Sequence, residues 1–380
     1  MPLREKMLIA GIRRAAARGI RSVGTGIGDD CAVLRVPREH EALVTTDFSL
    51  EGVHFRREWH PADSVGHRCL ARGLSDIAAM GGVPLAAFLS LALPPDLPQK
   101  WVDEFIAGLL KLAKRYSVPL AGGDTAQSPY GILADIVVLG STPDGKAVLR
   151  SGARPGDLIY VTGTLGSSVA TLNRLRDGEK LRPKLHPKHF YPEPRIAVGK
   201  FLREKKLVSA MIDISDGLST DLGHICDESK VGAVVYADAL PAASGSPQHH
   251  RFGSGHGFSR AKSRSTMSGA SAPATAILPG AKAPEFQSAP FGTTESRSLL
   301  QGGKMDDIIS GADNPLELAL HGGEEYELLF TARPDRRMPK QIAGVPITRI
   351  GEIARGRQMK LVTPDGSTEI LKPAGWEHFG

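Results

Sequence analysis

Residues 63–82 read "DSVGHRCLARGLSDIAAMGG". Val65, Leu70, Leu74 and Ile77 recur near helical spacing, Asp63 stands where an N-cap is expected, and Gly81-Gly82 closes the run, so the stretch predicts a helix. On either side lie strand-like segments, "ALVTTDFSL" (42–50), read as a strand ending at Asp47, and "LAAFLSLAL" (85–93). Further out, "QKWVDEFIAGLLKLAKRY" (99–116) predicts a second amphipathic helix and "GILADIVVLGST" (131–142) a further strand. This β-α-β-α-β alternation defines a first α/β domain, taken as 1–148. A second pattern starts with the strand "GDLIYVTG" (156–163). It continues with helices over 166–177 and 193–204, a strand over 209–214, a helix over 217–228 and a strand over 231–237, and resumes with "PLELAL", "EYELLFTA" and "ITRIGEI". The expected fold class is therefore α/β (α+β) with two domains, 1–148 and 149–380.

Within the second domain the periodicity stops at about 243–312, where Ser, Gly, Ala and Pro dominate and large apolar residues are too few to form a core. That stretch predicts a disordered insertion, with a helix near 304–311; its His249-His250 pair could bind metal but reads as tag-like polar sequence.

The formal charge of +6 does not imply a nucleic-acid partner. Lys and Arg are dispersed among acids, no basic stripe carries interleaved aromatics, and six positives against two acids fall within 244–300. Cys31, Cys69 and Cys226 lie far apart without a CxxC pair, which fits a reduced cytoplasm and argues against structural zinc. The basic N-terminus lacks a signal-peptide core and reads as an amphipathic helix. The longest apolar run, 83–93, is too short to span a bilayer, so the expectation is a cytoplasmic protein with no membrane partner.

Six aspartates mark element ends or interrupt apolar segments: Asp30 in "GIGDDCAVL" (26–34), Asp47, Asp76, Asp124 in "AGGDTAQSP", and Asp213 and Asp216 in "IDISDGLSTDL". Any one of them has an ordinary reading: Asp216 could cap a helix and Asp124 could sit in a turn. Asp76 has less excuse, lying mid-helix between apolar neighbours, where Asp is a mediocre helix former. If the six converge, carboxylates about 5 Å apart repel by roughly 3 kcal/mol per pair at an effective dielectric near 20, so they require cations. An oxygen-only donor set points to Mg²⁺ or Mn²⁺ and hence to phosphoryl chemistry. The Walker-like "GSTPDGKA" (140–147) is a decoy: Ala147 replaces the required Ser or Thr, and Pro143-Asp144-Gly145 reads as a turn. The phosphate-binding parts are better sought at Gly122-Gly123 beside Asp124, and at Arg150.

Taken in order, "GIGDDCAVL", "TTDFSLEGVHF", "LARGLSDIAAMGG", "AGGDT", "RSGARPGDLIYVTGTLG", "IDISDGLSTDLGHI", "HGGEEYELLFT" and "GWEHF" resemble the thiamine-monophosphate kinases. These form a family of the aminoimidazole-ribonucleotide-synthetase-like ATP-binding superfamily. The resemblance spans nearly the whole chain apart from the insertion. It implies transfer of the ATP γ-phosphoryl group to thiamine monophosphate, and a homodimer whose N-terminal domains share a β-barrel. It implies several Mg²⁺ ions held by Asp30, Thr45, Thr46, Asp47, Asp76, Asp124, Asp213 and Asp216. It implies ATP contacts at Gly123, Asp124, Arg150 and Ser215, and substrate contacts at His54, Glu324 and Trp376. Among these, Asp47, Asp76, Asp124 and Arg150 are expected to carry the catalysis. An acceptor phosphate is already ionised near neutral pH, so positioning and charge neutralisation are expected to carry the rate without a dedicated base. The departures are about 70 extra residues after "ALPAA" and Glu325 where the family often has Asp. The alternatives are another enzyme of the superfamily, of the aminoimidazole ribonucleotide or selenophosphate synthetase type, and a non-catalytic nucleotide sensor. The selenophosphate type normally needs a reactive Cys in an N-terminal glycine-rich loop, and no Cys precedes Cys31. A sensor would have little need of six aspartates.

Overall fold

The computed structural model describes residues 5–16, 22–25, 32–242 and 314–376. Asp29, Asp30, Cys31 and the expected insertion at 243–312 lie outside the described residues.

In the N-terminal half, α1 (Glu5–Ala15) and the short strands β1 (Val23–Thr25) and β2 (Val33–Leu34) precede a four-stranded sheet. The sheet has the order β3-β6-β4-β5, from β3 (His40–Leu50), β4 (Val83–Leu93), β5 (Leu120–Gln127) and β6 (Leu133–Pro143). β3 and β6 pair antiparallel along their whole length, from His40 opposite Pro143 to Leu50 opposite Leu133. Two helices cover one face, α2 (Ala62–Ala79) and α3 (Gln99–Arg115). They cross at backbone contact: a Cβ on Gly66 would lie 1.9 Å from the Phe105 carbonyl oxygen, and one on Gly108 1.9 Å from that of Asp63. Only glycines allow that approach.

α2 differs from the expected helix in two respects. It starts at Ala62 behind Pro61, so Asp63 lies in the first turn and is not the N-cap; its Oδ2 accepts a hydrogen bond from the Tyr191 hydroxyl at 3.0 Å. Pro at the cap position fixes the entry of the chain without a side-chain acceptor. Nor is α2 a surface amphipathic helix, since 15 of its 18 residues are buried, Arg68 among them. "AGGDT", where a turn is one ordinary reading of Asp124, lies in strand β5, parallel to β4.

The C-terminal half carries an eight-stranded sheet, built on the path β14-β13-β9-β12-β7-β10-β8 with β11 (Gln341–Ile342) paired to β12. Its strands are β7 (Leu158–Thr162), β8 (Ala210–Asp213), β9 (Gly232–Tyr236), β10 (Leu328–Ala332), β12 (Val345–Ala354), β13 (Met359–Val362) and β14 (Thr368–Ile370). The helices are α4 (Ser167–Arg176), α5 (Pro187–Phe190), α6 (Ile196–Glu204), α7 (Leu218–Ser229) and α8 (Pro315–His321).

Alternation along the strands divides the apolar side chains between two cores. Tyr160, Met211, Leu328 and Phe330 join α2, α3 and α6 in one core continuous with the N-terminal sheet. Ile159, Val161, Ile212 and Leu329 pack with α7 and α8 in the other. The halves thus meet through an apolar core beneath α2, which holds its inward-facing polar residues in place. Among the described residues no helix is long and apolar enough to cross a membrane.

A buried histidine pair adds a pH dependence to this packing. His60 Nε2 lies 3.0 Å from His189 Nε2, both residues are buried, and Ser168 Oγ is 3.1 Å from His189 Nδ1. Burial and the nearby Arg68 charge lower the His60 pKa to about 3 and that of His189 well below the ordinary value. Depressed folded-state values mean that stability is present above the unfolded pKa near 6.5 and is lost as pH falls. Each histidine should cost about 1.4 kcal/mol of unfolding free energy per pH unit below about 6.5. Denaturant unfolding of the wild type and a His60→Gln/His189→Gln variant between pH 7.5 and 5 checks this; the variant should show the flatter pH slope.

Candidate active site

The strand and helix ends converge on a cavity of about 320 Å³ between the two halves. On β3, alternate residues face opposite ways. Thr45 and Asp47 look toward α2, and the Thr45 hydroxyl donates to Asp76 Oδ2. Asp76 projects from α2 toward the same point, and its neighbour Ser75 donates from Oγ to Asp213 Oδ2 at 2.7 Å. Asp213 ends β8 and is buried. Asp47, Asp76 and Asp213, from three distant segments, thus line one cavity, together with Asp216 and Ser215.

Their electrostatics follow from that convergence. Burial first, and then the Asp76 charge, push the Asp47 pKa up to about 7. Burial raises Asp76, while the Thr45 hydrogen bond and the Arg150 charge act the other way. Asp213 is raised well above the carboxylate range by burial and by Asp76. Carboxylates from three segments line this one cavity and the donors are all oxygens, the chemistry of a hard divalent cation, so these residues fit Mg²⁺.

The turn 214–217 is organised by Asp221, whose Oδ2 accepts from the backbone N–H groups of Ser215, Asp216 and Gly217 at 3.1, 3.2 and 3.1 Å. Gly217 takes φ 118°, which admits no ordinary side chain there. The C-terminal segment docks on the same turn: Trp376 N–H donates to the Asp216 carbonyl at 2.9 Å, which sets the indole at the cavity wall.

The expected substrate residues His54 and Glu324 line the same cavity. His54 Nδ1 accepts from Leu50 N–H at 3.0 Å. Glu324 has φ 58° and is pinned by its own N–H to the Ser215 carbonyl at 2.7 Å. Its two carboxylate oxygens pair with Arg68 and Arg72 of α2. Glu325, the family departure, turns away and accepts from Ser168 N–H at 2.9 Å, so the start of α4 is already occupied by a carboxylate of the chain itself.

Other expected residues lie off this cavity. The Thr46 side chain is on the outer face of the sheet, where Oγ1 donates to Asp135 at 2.7 Å. Asp124 and Gly123 are on β5, exposed, and Asp124 Oδ1 accepts from the Thr125 N–H at 2.8 Å. Arg150 is exposed, but its charge reaches Asp76. Sequence reasoning did not single out Arg72, Tyr326, Arg176 or His321, all of which line the cavity. A lone arginine on a helix reads as a solvent-facing charge, so Arg72 carried no signal; the "EYE" pattern could have pointed to Tyr326.

Residues 28–142 match the model of the AIR synthase related protein N-terminal domain, and residues 154–257 that of the C-terminal domain. The thiamine-monophosphate kinase of Salmonella typhimurium is 35% identical over 367 residues, 94% of this chain and 92% of the relative. That of Bacillus subtilis is 36% identical over 372 residues, 94% of each. The chain belongs to the thiamine-monophosphate kinase family. Among solved members, the enzyme from Stenotrophomonas maltophilia K279a superposes with a TM-score of 0.69 at 30% identity, covering 97% of this chain and 98% of that one. A structure described as "AaThiL complexed with AMPPCP and TMP" gives 0.66 at 29% identity, covering 93% and 92%. The two-domain fold of mixed α and β structure is therefore that of the kinase family.

Proposed function

We infer that this chain transfers the γ-phosphoryl group of ATP to the phosphate of thiamine monophosphate, yielding thiamine diphosphate and ADP. The observation that carries the reading is the convergence of Asp47, Asp76 and Asp213 with Glu324, His54 and Trp376 on one cavity, in a chain related over nearly its full length to such kinases. Both substrates are anionic, and their approach is opposed by like charge. Asp47, Asp76, Asp213 and Asp216, with Asp124 and Asp30 by the family resemblance, are the residues that would hold Mg²⁺, which supplies charge neutralisation. Thr45 orients Asp76. Thr46, whose hydroxyl is engaged by Asp135, would contribute through its backbone. Gly123, Asp124, Arg150 and Ser215 form the nucleotide side, Arg150 adding a fixed positive charge. His54 and Glu324 receive thiamine monophosphate, and Trp376 offers a face for its cationic ring to stack on. No residue needs to remove a proton from an acceptor phosphate that is already ionised.

ADP release measured with ATP, Mg²⁺ and alternative acceptors tests this reading. Release should depend on thiamine monophosphate and not on selenide or thiamine. Release that ignores thiamine monophosphate but follows another acceptor would assign the chain to a different activity.

The assembly is a homodimer in which two N-terminal sheets close a barrel. The support is the outer face of the four-stranded sheet, where Val44 is 67% and Phe48 55% exposed beside half-buried Phe88, Val137 and Leu139. An apolar sheet face of this kind is the surface that association covers. Light scattering should give twice the chain mass for the wild type and a monomer for Phe48→Glu; a wild-type monomer would contradict the dimer.

A further inference from the structure

Arg68 and Arg72 lie one helical turn apart on α2 and reach Glu324 from the same side, one to each carboxylate oxygen. Their side chains are only 4% and 10% exposed, whereas that of Glu324 is 26% exposed and lines the cavity. The clamp is itself held. Arg68 Nη1 donates to the His189 carbonyl at 2.6 Å and Nη2 to the His54 carbonyl at 3.3 Å, while Arg72 Nη1 donates to the Phe48 carbonyl at 2.9 Å. The anchors thus come from β3, the His54 loop and α5. Arg72 Nε is buried with no hydrogen-bond partner.

Burying two guanidinium groups is costly, and cohesion does not require it, because the halves already share an apolar core beneath α2. One guanidinium nitrogen is even left unsatisfied, which is a poor design for a purely structural bridge. What the arrangement achieves is a carboxylate with a single orientation, at a residue whose backbone already sits in the left-handed region, turned toward the cavity.

We propose that Arg68 and Arg72 are positioning residues for acceptor recognition: they hold Glu324 so that its remaining lone pairs accept from the amino group on the pyrimidine ring of thiamine monophosphate. This rests on the reading of thiamine monophosphate as acceptor. A carboxylate fixed at both oxygens loses little freedom on binding and discriminates by direction, whereas a free one would also pair with solvent cations. Arg72 additionally stands beside Asp47, so Arg68 is the cleaner residue to vary.

Steady-state kinetics of Arg68→Gln, Arg68→Lys, Glu324→Gln and the Arg68→Gln/Glu324→Gln double variant test the proposal. Arg68→Gln should raise KM for thiamine monophosphate at least tenfold, with KM for ATP changed less than twofold and kcat less than threefold; Arg68→Lys should recover most of the loss. The double variant should be no worse than Glu324→Gln alone, because nothing is left to position. An unchanged KM for thiamine monophosphate, an equal rise in both KM values, or effects that multiply in the double variant would overturn it. Should Arg68→Gln fail to fold, Arg68→Met, which keeps a buried stem and loses both the charge and the fork, is judged by the same KM split. A wild-type enzyme that is active with these variants unaffected removes the positioning role only; a wild type inactive on thiamine monophosphate removes the function and this inference together.

Discussion

Asp76→Asn is expected to lower thiamine diphosphate formation by about 10³-fold or more while leaving the protein folded. Asn keeps the shape of the side chain and can still accept from the Thr45 hydroxyl, so the contact between β3 and α2 survives. It loses the negative charge at the centre of the cluster, where Asp47 and Asp213 both respond to Asp76. The sign of the stability change separates the chemical role from a structural one. In the cation-free protein, removing one of several repelling buried carboxylates relieves strain, so the thermal midpoint should stay level or rise. Turnover and unfolding measured on the same preparation check both halves; near-wild-type turnover would remove Asp76 from the cation site.

Stripping divalent cations is expected to abolish turnover and to lower the thermal midpoint. A ligand at about 100 times its Kd stabilises the folded state by about 2.7 kcal/mol. At about 2–4 °C per kcal/mol for a chain of this order of size, that corresponds to roughly 5–10 °C. Adding MgCl₂ after chelation should restore both properties, and NaCl at matched ionic strength should restore neither. In Asp213→Asn the Mg²⁺-dependent rise should largely vanish, since Asp213 is buried beside Ser75 with its carboxylate facing the same cavity. A cation-stripped enzyme that still makes thiamine diphosphate would contradict the reading of the aspartates.

Much of this was legible in the sequence because it rests on local signals. The spacing of Val65, Leu70, Leu74 and Ile77 marks α2, and the apolar runs mark β3, β4, β6 and β7. Glycine-rich β5 escaped because Gly122, Gly123 and Asp124 are poor strand formers; pairing with β4 overrides that preference. The Asp63 cap failed because Pro61 already sets the start of α2. That such aspartates would need cations if they converged could be argued before any fold was known; that Asp47, Asp76 and Asp213 meet in one cavity, and that Asp124 does not join them, depends on the fold. Arg68 and Arg72 could not be anticipated. Their role depends on Glu324, more than 250 residues away in the chain, and nothing local distinguishes a buried helical arginine from a solvated one.

The most direct test of the account is the fate of the γ-phosphoryl group. With γ-³²P-labelled ATP, Mg²⁺ and thiamine monophosphate, label should appear in the terminal phosphate of thiamine diphosphate, one per ADP formed, with none left on the protein. ATP consumed with the label released as inorganic phosphate, or retained on the protein, would contradict direct transfer between the two substrates.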